Sequence, residues 1–122
     1  SNEIILSVAV KPNLLEAKNR FAQDWGSWLK KGIVDYVFPM NYYKEMKYFN
    51  RDSYLILKRI PQKLHKNIIM GIGCYNQNAG DAADKIALVK LHRFGGVSLF
   101  SYDNHVNELS WFTPLHKKLF IN

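Results

Sequence analysis

Four short apolar runs, each closing in a polar or aromatic cluster, constrain this chain more than any other feature. They are IILSVAVKPN from Ile4, IVDYVFPMNYY from Ile33, IIMGIGCYNQN from Ile68 and VSLFSYDN from Val97. Their starts lie 29, 35 and 29 residues apart, with a helix-like stretch in each gap. Parallel strands buried on both faces read as continuous apolar runs, so the spacing predicts repeated strand–helix units. In folds of that kind the chemistry sits at the carboxyl ends of the strands, and the polar clusters fall there.

A chain of 122 residues allows one domain with a real core. An apolar fraction of 48%, with 14% aromatic residues, excludes a disordered chain. No run approaches the roughly 20 apolar residues of a membrane span, and no basic segment precedes a long apolar stretch at the start. A single cysteine, Cys74, excludes an internal disulfide and a multi-cysteine zinc site. The net charge of +7 raises the question of a nucleic-acid partner. Its cations are scattered over the helical stretches, from Lys18 and Arg20 through Lys30, Lys58 and Lys85 to Lys118. A phosphate-binding face needs such charges on one surface, so the pattern reads as a solvated exterior and no nucleic-acid partner is expected.

The gaps read as helices. Over Leu14 to Lys31, Phe21, Trp25, Trp28 and Leu29 share one face, and Gly32 suits the residue after the helix. That spacing makes the tryptophans core residues rather than sugar platforms. A second helix is predicted over Asp52 to Leu64, capped by Asp52 or Ser53, with Leu55, Ile56 and Ile60 inward and Pro61 ending or kinking it. The third starts at Asn78 or Gly80, carries Ala82, Ile86 and Val89 as a stripe, and stops at Gly95-Gly96. A last helix is expected from Asn107 to Phe120, broken near Pro114.

Four β-α units can form an open parallel sheet or half of an eight-stranded barrel, which needs about 250 residues when whole. The loop after the first run reads VAVKPNLLEAK and lacks the glycine pattern of a phosphate loop, while GIGCY lacks the third glycine. These absences favour an α/β half-barrel occupying residues 1–122 as a single unit.

At the strand ends the residues become more specific. AQDWGSWLKKGIVDYVFPMNY, followed by GIGCY and then by GGVSLFSYD, resembles the C-terminal half of a bacterial family of glycosyl-hydrolase-like (β/α)8 barrel proteins. Members are often described as lipoproteins or uncharacterised glycosidases. Gln23 to Tyr42 matches the family's "Q-D-W-x-x-W-L-x-x-G-x-V-D-F-V-x-P-M-x-Y" block closely. Gly71 to Tyr75 matches "G-I-G-x-Y" and Phe100 to Asp103 matches "F-S-Y-D", whereas Ser7 to Pro12 matches "S-A-A-V-x-P" loosely. The resemblance implies that the chain holds strands five to eight of a TIM-type barrel. It implies a location in the cell envelope or outside the cell, and it places an acidic strand end in a preceding half.

Glycoside hydrolysis needs two carboxyl groups flanking the scissile bond. Asp103, after FSY, is the candidate catalytic acid/base or a partner for sugar hydroxyls, with a turn aspartate as the other reading. Glu45 reads as a solvated first-turn residue, and Asp35, which opens the second run, belongs to the opposite end of the strands. Asn41 and Tyr42 offer an amide and a phenol at a strand end, as sugar recognition requires, with loop capping and packing as the alternative. Tyr75 and Tyr102 hold equivalent places on the next two runs. Gly71 and Gly73 allow close approach of backbone or ligand. Ser101 is a possible hydroxyl contact with no histidine placed to activate it. Of the histidines only His105 falls near these strand ends, and no ligand spacing suggests a metal or cofactor. Cys74 reads as buried and inert.

The expected function is therefore carbohydrate binding by strand-end residues within a hydrolase acting on a polysaccharide or cell-envelope glycan, with the fragment inactive by itself. A non-catalytic carbohydrate-binding or scaffold domain is the alternative. A half-barrel leaves two sheet edges unpaired, so the chain is expected to form a homodimer, two halves making a pseudo-barrel, or to be partly disordered.

Overall fold

The computed structural model describes residues 4–120. Strands and helices alternate as the runs predict. Strand β1 spans Ser7–Val10, β2 Tyr36–Pro39, β3 Ile69–Gly73 and β4 Gly96–Phe100. Helices α1 (Leu14–Phe21) and α2 (Trp25–Lys30) follow β1, α3 (Met46–Arg59) follows β2, α4 (Ala79–Leu91) follows β3, and α5 (Thr113–Phe120) closes the chain. Short 3-10 turns fill Gln62–Asn67, Tyr102–His105 and Leu109–Phe112.

The four-stranded half-barrel does not form. β1 pairs in parallel with β2, from Ser7 opposite Tyr36 to Val10 opposite Pro39, as one two-stranded sheet. β3 pairs in parallel with β4, from Ile69 opposite Gly96 to Gly73 opposite Phe100, as another. Between the two lies a single parallel bridge, Val37 with Ile68. Pro39 explains why the ladder stops there. Proline has no N–H to give β3, and its carbonyl accepts the Asn41 N–H at 2.9 Å, inside its own turn. The two strands still touch, since a Cβ on Gly71 would lie 2.6 Å from the Pro39 oxygen.

The helices differ from the expected boundaries for local reasons. The Leu14–Lys31 stretch breaks at Ala22, whose φ of 53° lies in the left-handed region, and Trp25 rather than Phe21 is buried. The indole N–H of Trp25 is satisfied by the Lys11 carbonyl at 3.1 Å. α3 begins six residues before Asp52, so Asp52 and Ser53 are buried inside the helix rather than capping it. Asp52 accepts from Asn13 Nδ2 and from Arg51 Nε, each at 2.9 Å. α3 ends before Pro61 as expected. Asn78 caps α4, its side chain accepting the Asp81 N–H at 2.8 Å, and Ala82, Ile86 and Val89 are buried. Gly96 opens β4 instead of ending α4, which closes at His92 and Arg93, the latter with φ 59°.

Trp25, Phe49, Ile56, Ile68, Met70, Ile72, Ile86 and Leu115 form one core between the strands and the helices. Parallel pairing aims the carboxyl ends of β1 and β2 the same way, and likewise those of β3 and β4.

Candidate functional site

Three aromatic rings meet at the carboxyl ends of the strands. Tyr42 follows β2, Tyr75 follows β3 and Phe100 ends β4. The rings of Tyr42 and Phe100 stack at 5.4 Å with an interplanar angle of 13°. Tyr75 stands edge-on to both, 6.5 Å from each. Glycines set this arrangement. The Tyr42 ring lies over Gly71, where a Cβ would come within 2.9 Å of its Cε1, and Tyr42 Cβ and Tyr75 Cε1 each lie 3.4 Å from the equivalent point on Gly73. The close approach that GIGCY permits is thus to the protein's own backbone and rings. Tyr75 and Phe100 are 55% and 54% exposed, so two of the three aromatic residues are open to solvent.

Burial raises the Tyr42 phenol, with Tyr75 and Cys74 adding to the effect, so it stays a neutral hydrogen-bonding hydroxyl. Asn76 donates to the Tyr42 carbonyl at 2.8 Å and ties the loop after β3 to the loop after β2. Beyond Tyr42 a cleft of about 350 Å³ is lined by Lys11, Glu16, Met40 and Tyr43. Burial and the neighbouring Asp52 charge raise the Tyr43 phenol as well.

The other expected site residues divide. Asn41 is wholly buried: its amide donates to the Phe49 carbonyl at 3.1 Å and to Ser53 Oγ at 3.2 Å. It pins the loop to α3 and has no exposed surface, an arrangement that matches the loop-capping alternative. Tyr102 is exposed, and its ring stacks on Phe112 at 5.7 Å rather than on Tyr42 or Tyr75. Asp103 is exposed in the same turn. That turn is held by Ser101 and Asn104, the Asn104 side chain accepting the Ser101 N–H at 2.9 Å. The Phe100–Ser101 peptide is cis. Asp35 lies at the amino end of β2, its carboxylate accepting the Leu6 N–H at 2.8 Å, as its position in the run implies.

His105 packs flat on Trp111 with ring centroids 3.9 Å apart, and its Nε2 lies 2.8 Å from the Cys74 carbonyl. A carbonyl only accepts, so this nitrogen carries the proton and is no general base. Cys74 is buried, and burial raises its thiol, which suits an inert side chain. Among the described residues no cluster of three or more His, Cys, Asp or Glu could hold a metal, and no helix is long and apolar enough to cross a membrane.

Two features escape a reading of strand ends alone. Phe100 belongs to the aromatic cluster although it is the last strand residue, not a loop residue. Lys85, one face round from the apolar stripe of α4, is buried and donates to the Lys44 carbonyl at 2.9 Å and to Gln77 Oε1. Burial pulls its ammonium below the usual lysine range, against the pull of Asp81, Asp84 and Glu45. It joins the loops after β2 and β3. No protein-family model, curated protein or solved structure matches the chain.

Proposed function

We propose that this chain binds carbohydrate on the surface formed by Tyr42, Tyr75 and Phe100, within a protein that hydrolyses a polysaccharide or cell-envelope glycan. The observation that carries this reading is a cluster of two exposed aromatic residues beside a half-buried phenol at the strand ends. Sugar rings present C–H faces that pack on aromatic faces, while their hydroxyls need donors and acceptors close by. The Tyr42 and Tyr75 hydroxyls supply both. Asp103 and Tyr102, in the turn that follows Phe100, extend the polar rim, with Asp103 the carboxylate for acid/base work or for holding a hydroxyl. The family resemblance of Gln23 to Tyr42, Gly71 to Tyr75 and Phe100 to Asp103 supports the same reading.

Titration of neutral and charged oligosaccharides into the purified chain, followed by amide NMR, tests it. Saturable shifts at Tyr75, Phe100 and Tyr102 are expected for at least one glycan, and Tyr75→Ala should weaken that binding. A glycan panel without a binder, or a Tyr75→Ala variant with unaltered affinity, would overturn the proposal. Tyr75 is a cleaner probe than Tyr42, whose ring also packs against Gly71 and Gly73.

A further inference from the structure

At the opposite end of the strands, a second cleft gathers cations that are distant in sequence. It has a volume of about 900 Å³ and is lined by Lys63, His65, Lys66, His92 and Arg93, with Leu57 and Leu91 as apolar walls. Gly95 creates it. Its N–H is shared between the carbonyls of His65, at 3.1 Å, and Ile68, at 2.9 Å. A Cβ there would stand 2.0 Å from the Lys66 oxygen, so only glycine lets the turn after α4 close on the Gln62–Asn67 turn. Closure brings Lys63, Lys66 and Arg93 into the lining of one cleft. The buried Phe94 ring lies between the two turns, 6.0 Å from the His65 ring and 6.3 Å from that of His92.

The charges here are uncompensated. Among the described residues the ion pairs are Arg20 with Glu16 and Arg51 with Asp52, neither of which reaches this cleft. Asp35, at the same end of the strands, forms no ion pair with these cations; its carboxylate accepts the Leu6 N–H and its carbonyl accepts from Asn67. His92 Nε2 is buried without a hydrogen-bond partner. Gathering three cations with no counter-charge costs stability unless an anion offsets it.

We infer that this cleft is a binding site for a small phosphate-type polyanion, held by Lys63, Lys66 and Arg93 and separate from the aromatic surface. Adjacent phosphate groups match it best, because their oxygens accept from several cations at once. Salt at the site should compete with such a ligand.

Inorganic pyrophosphate is the probe, titrated at low ionic strength and followed by amide and imidazole NMR. Saturable shifts confined to Lys63, Lys66, His92 and Arg93 are expected. Both lysines are exposed, so the double variant K63E/K66E should keep the native melting temperature while losing at least about tenfold in affinity, as expected when two charge-assisted hydrogen bonds are removed. The inference is overturned by shifts that do not saturate, by shifts spread equally over Lys30, Lys31, Lys117 and Lys118, or by unaltered affinity in the variant. Duplex DNA and anionic vesicles form a second arm. Binding of either through these lysines, with no saturable pyrophosphate binding, also overturns it and assigns the surface to a polymer or a membrane.

Discussion

Asn41 and Tyr42 are adjacent in sequence and their side chains sit in different environments. The sequence shows that both follow a strand; it does not show which way each points, because the turn after Pro39 decides that. The turn sends the Asn41 amide into the core toward Phe49 and Ser53 and the Tyr42 ring over Gly71. Replacing Asn41 with Leu should therefore cost about 1–3 kcal/mol in chemical denaturation, since it removes two buried hydrogen bonds, to the Phe49 carbonyl and the Ser53 hydroxyl. Glycan affinity should be unchanged in the same variant. Tyr75→Ala should do the reverse: little change in stability, and a loss of about 0.5–1.5 kcal/mol in glycan binding if one stacking contact is removed. His92 adds a pH signature. Burial holds its imidazole below the ordinary 6.5, so as pH falls the unfolded chain takes up that proton first. The contribution is fully present above about 6.5, declines between that value and the lower folded one, and levels off beneath it. Across that window the melting temperature of the native chain should fall relative to that of His92→Asn as the pH falls.

At the scale of elements, the order of strands and helices was legible because apolar runs and stripes report burial directly. The stripe of α4 and its Asn78 cap stand where the sequence puts them. Two boundaries were not legible. Asp52 and Ser53 carry a capping signal but serve a buried network with Asn13 and Asn41, a tertiary demand that local sequence does not display. The Leu14–Lys31 stretch has continuous helical spacing, yet Gln23 leaves the helix so that its side chain can accept the Lys11 N–H at 2.9 Å. Ala22 takes the left-handed conformation to allow that exit, its position being the cap of α1. A left-handed non-glycine residue costs about 1–2 kcal/mol, part of which glycine would lose again in unfolded-chain entropy. Ala22→Gly is accordingly expected to raise stability by up to about 1 kcal/mol, read as a higher melting temperature. A lower one would mean that the break is not set at this residue.

For the whole molecule, the spacing of the runs conveyed four parallel strands but not how they divide. A repeat period fixes connection lengths, and a sheet forms only where neighbouring backbones offer matched donors and acceptors. Pro39 withdraws both from β3, so two short sheets meet at one bridge. Each sheet then keeps an outer edge, one along β1 and one along β4. The edge at β1 is extended by Ile4, Ile5 and Leu6, which are 82%, 68% and 52% exposed. Exposed apolar residues beside unpaired strand groups promote pairing with another chain. The isolated chain is therefore expected to self-associate as concentration rises, at a rate that added salt does not suppress, because the contact is apolar rather than ionic. Light scattering across a concentration series measures this. Ile4→Lys with Ile5→Lys should restore the monomer without lowering the melting temperature, since neither side chain belongs to the core. A native chain that stays monomeric at high concentration would show that the β1 edge is protected by its twist and charge alone, and that the apolar row has no partner in a second copy.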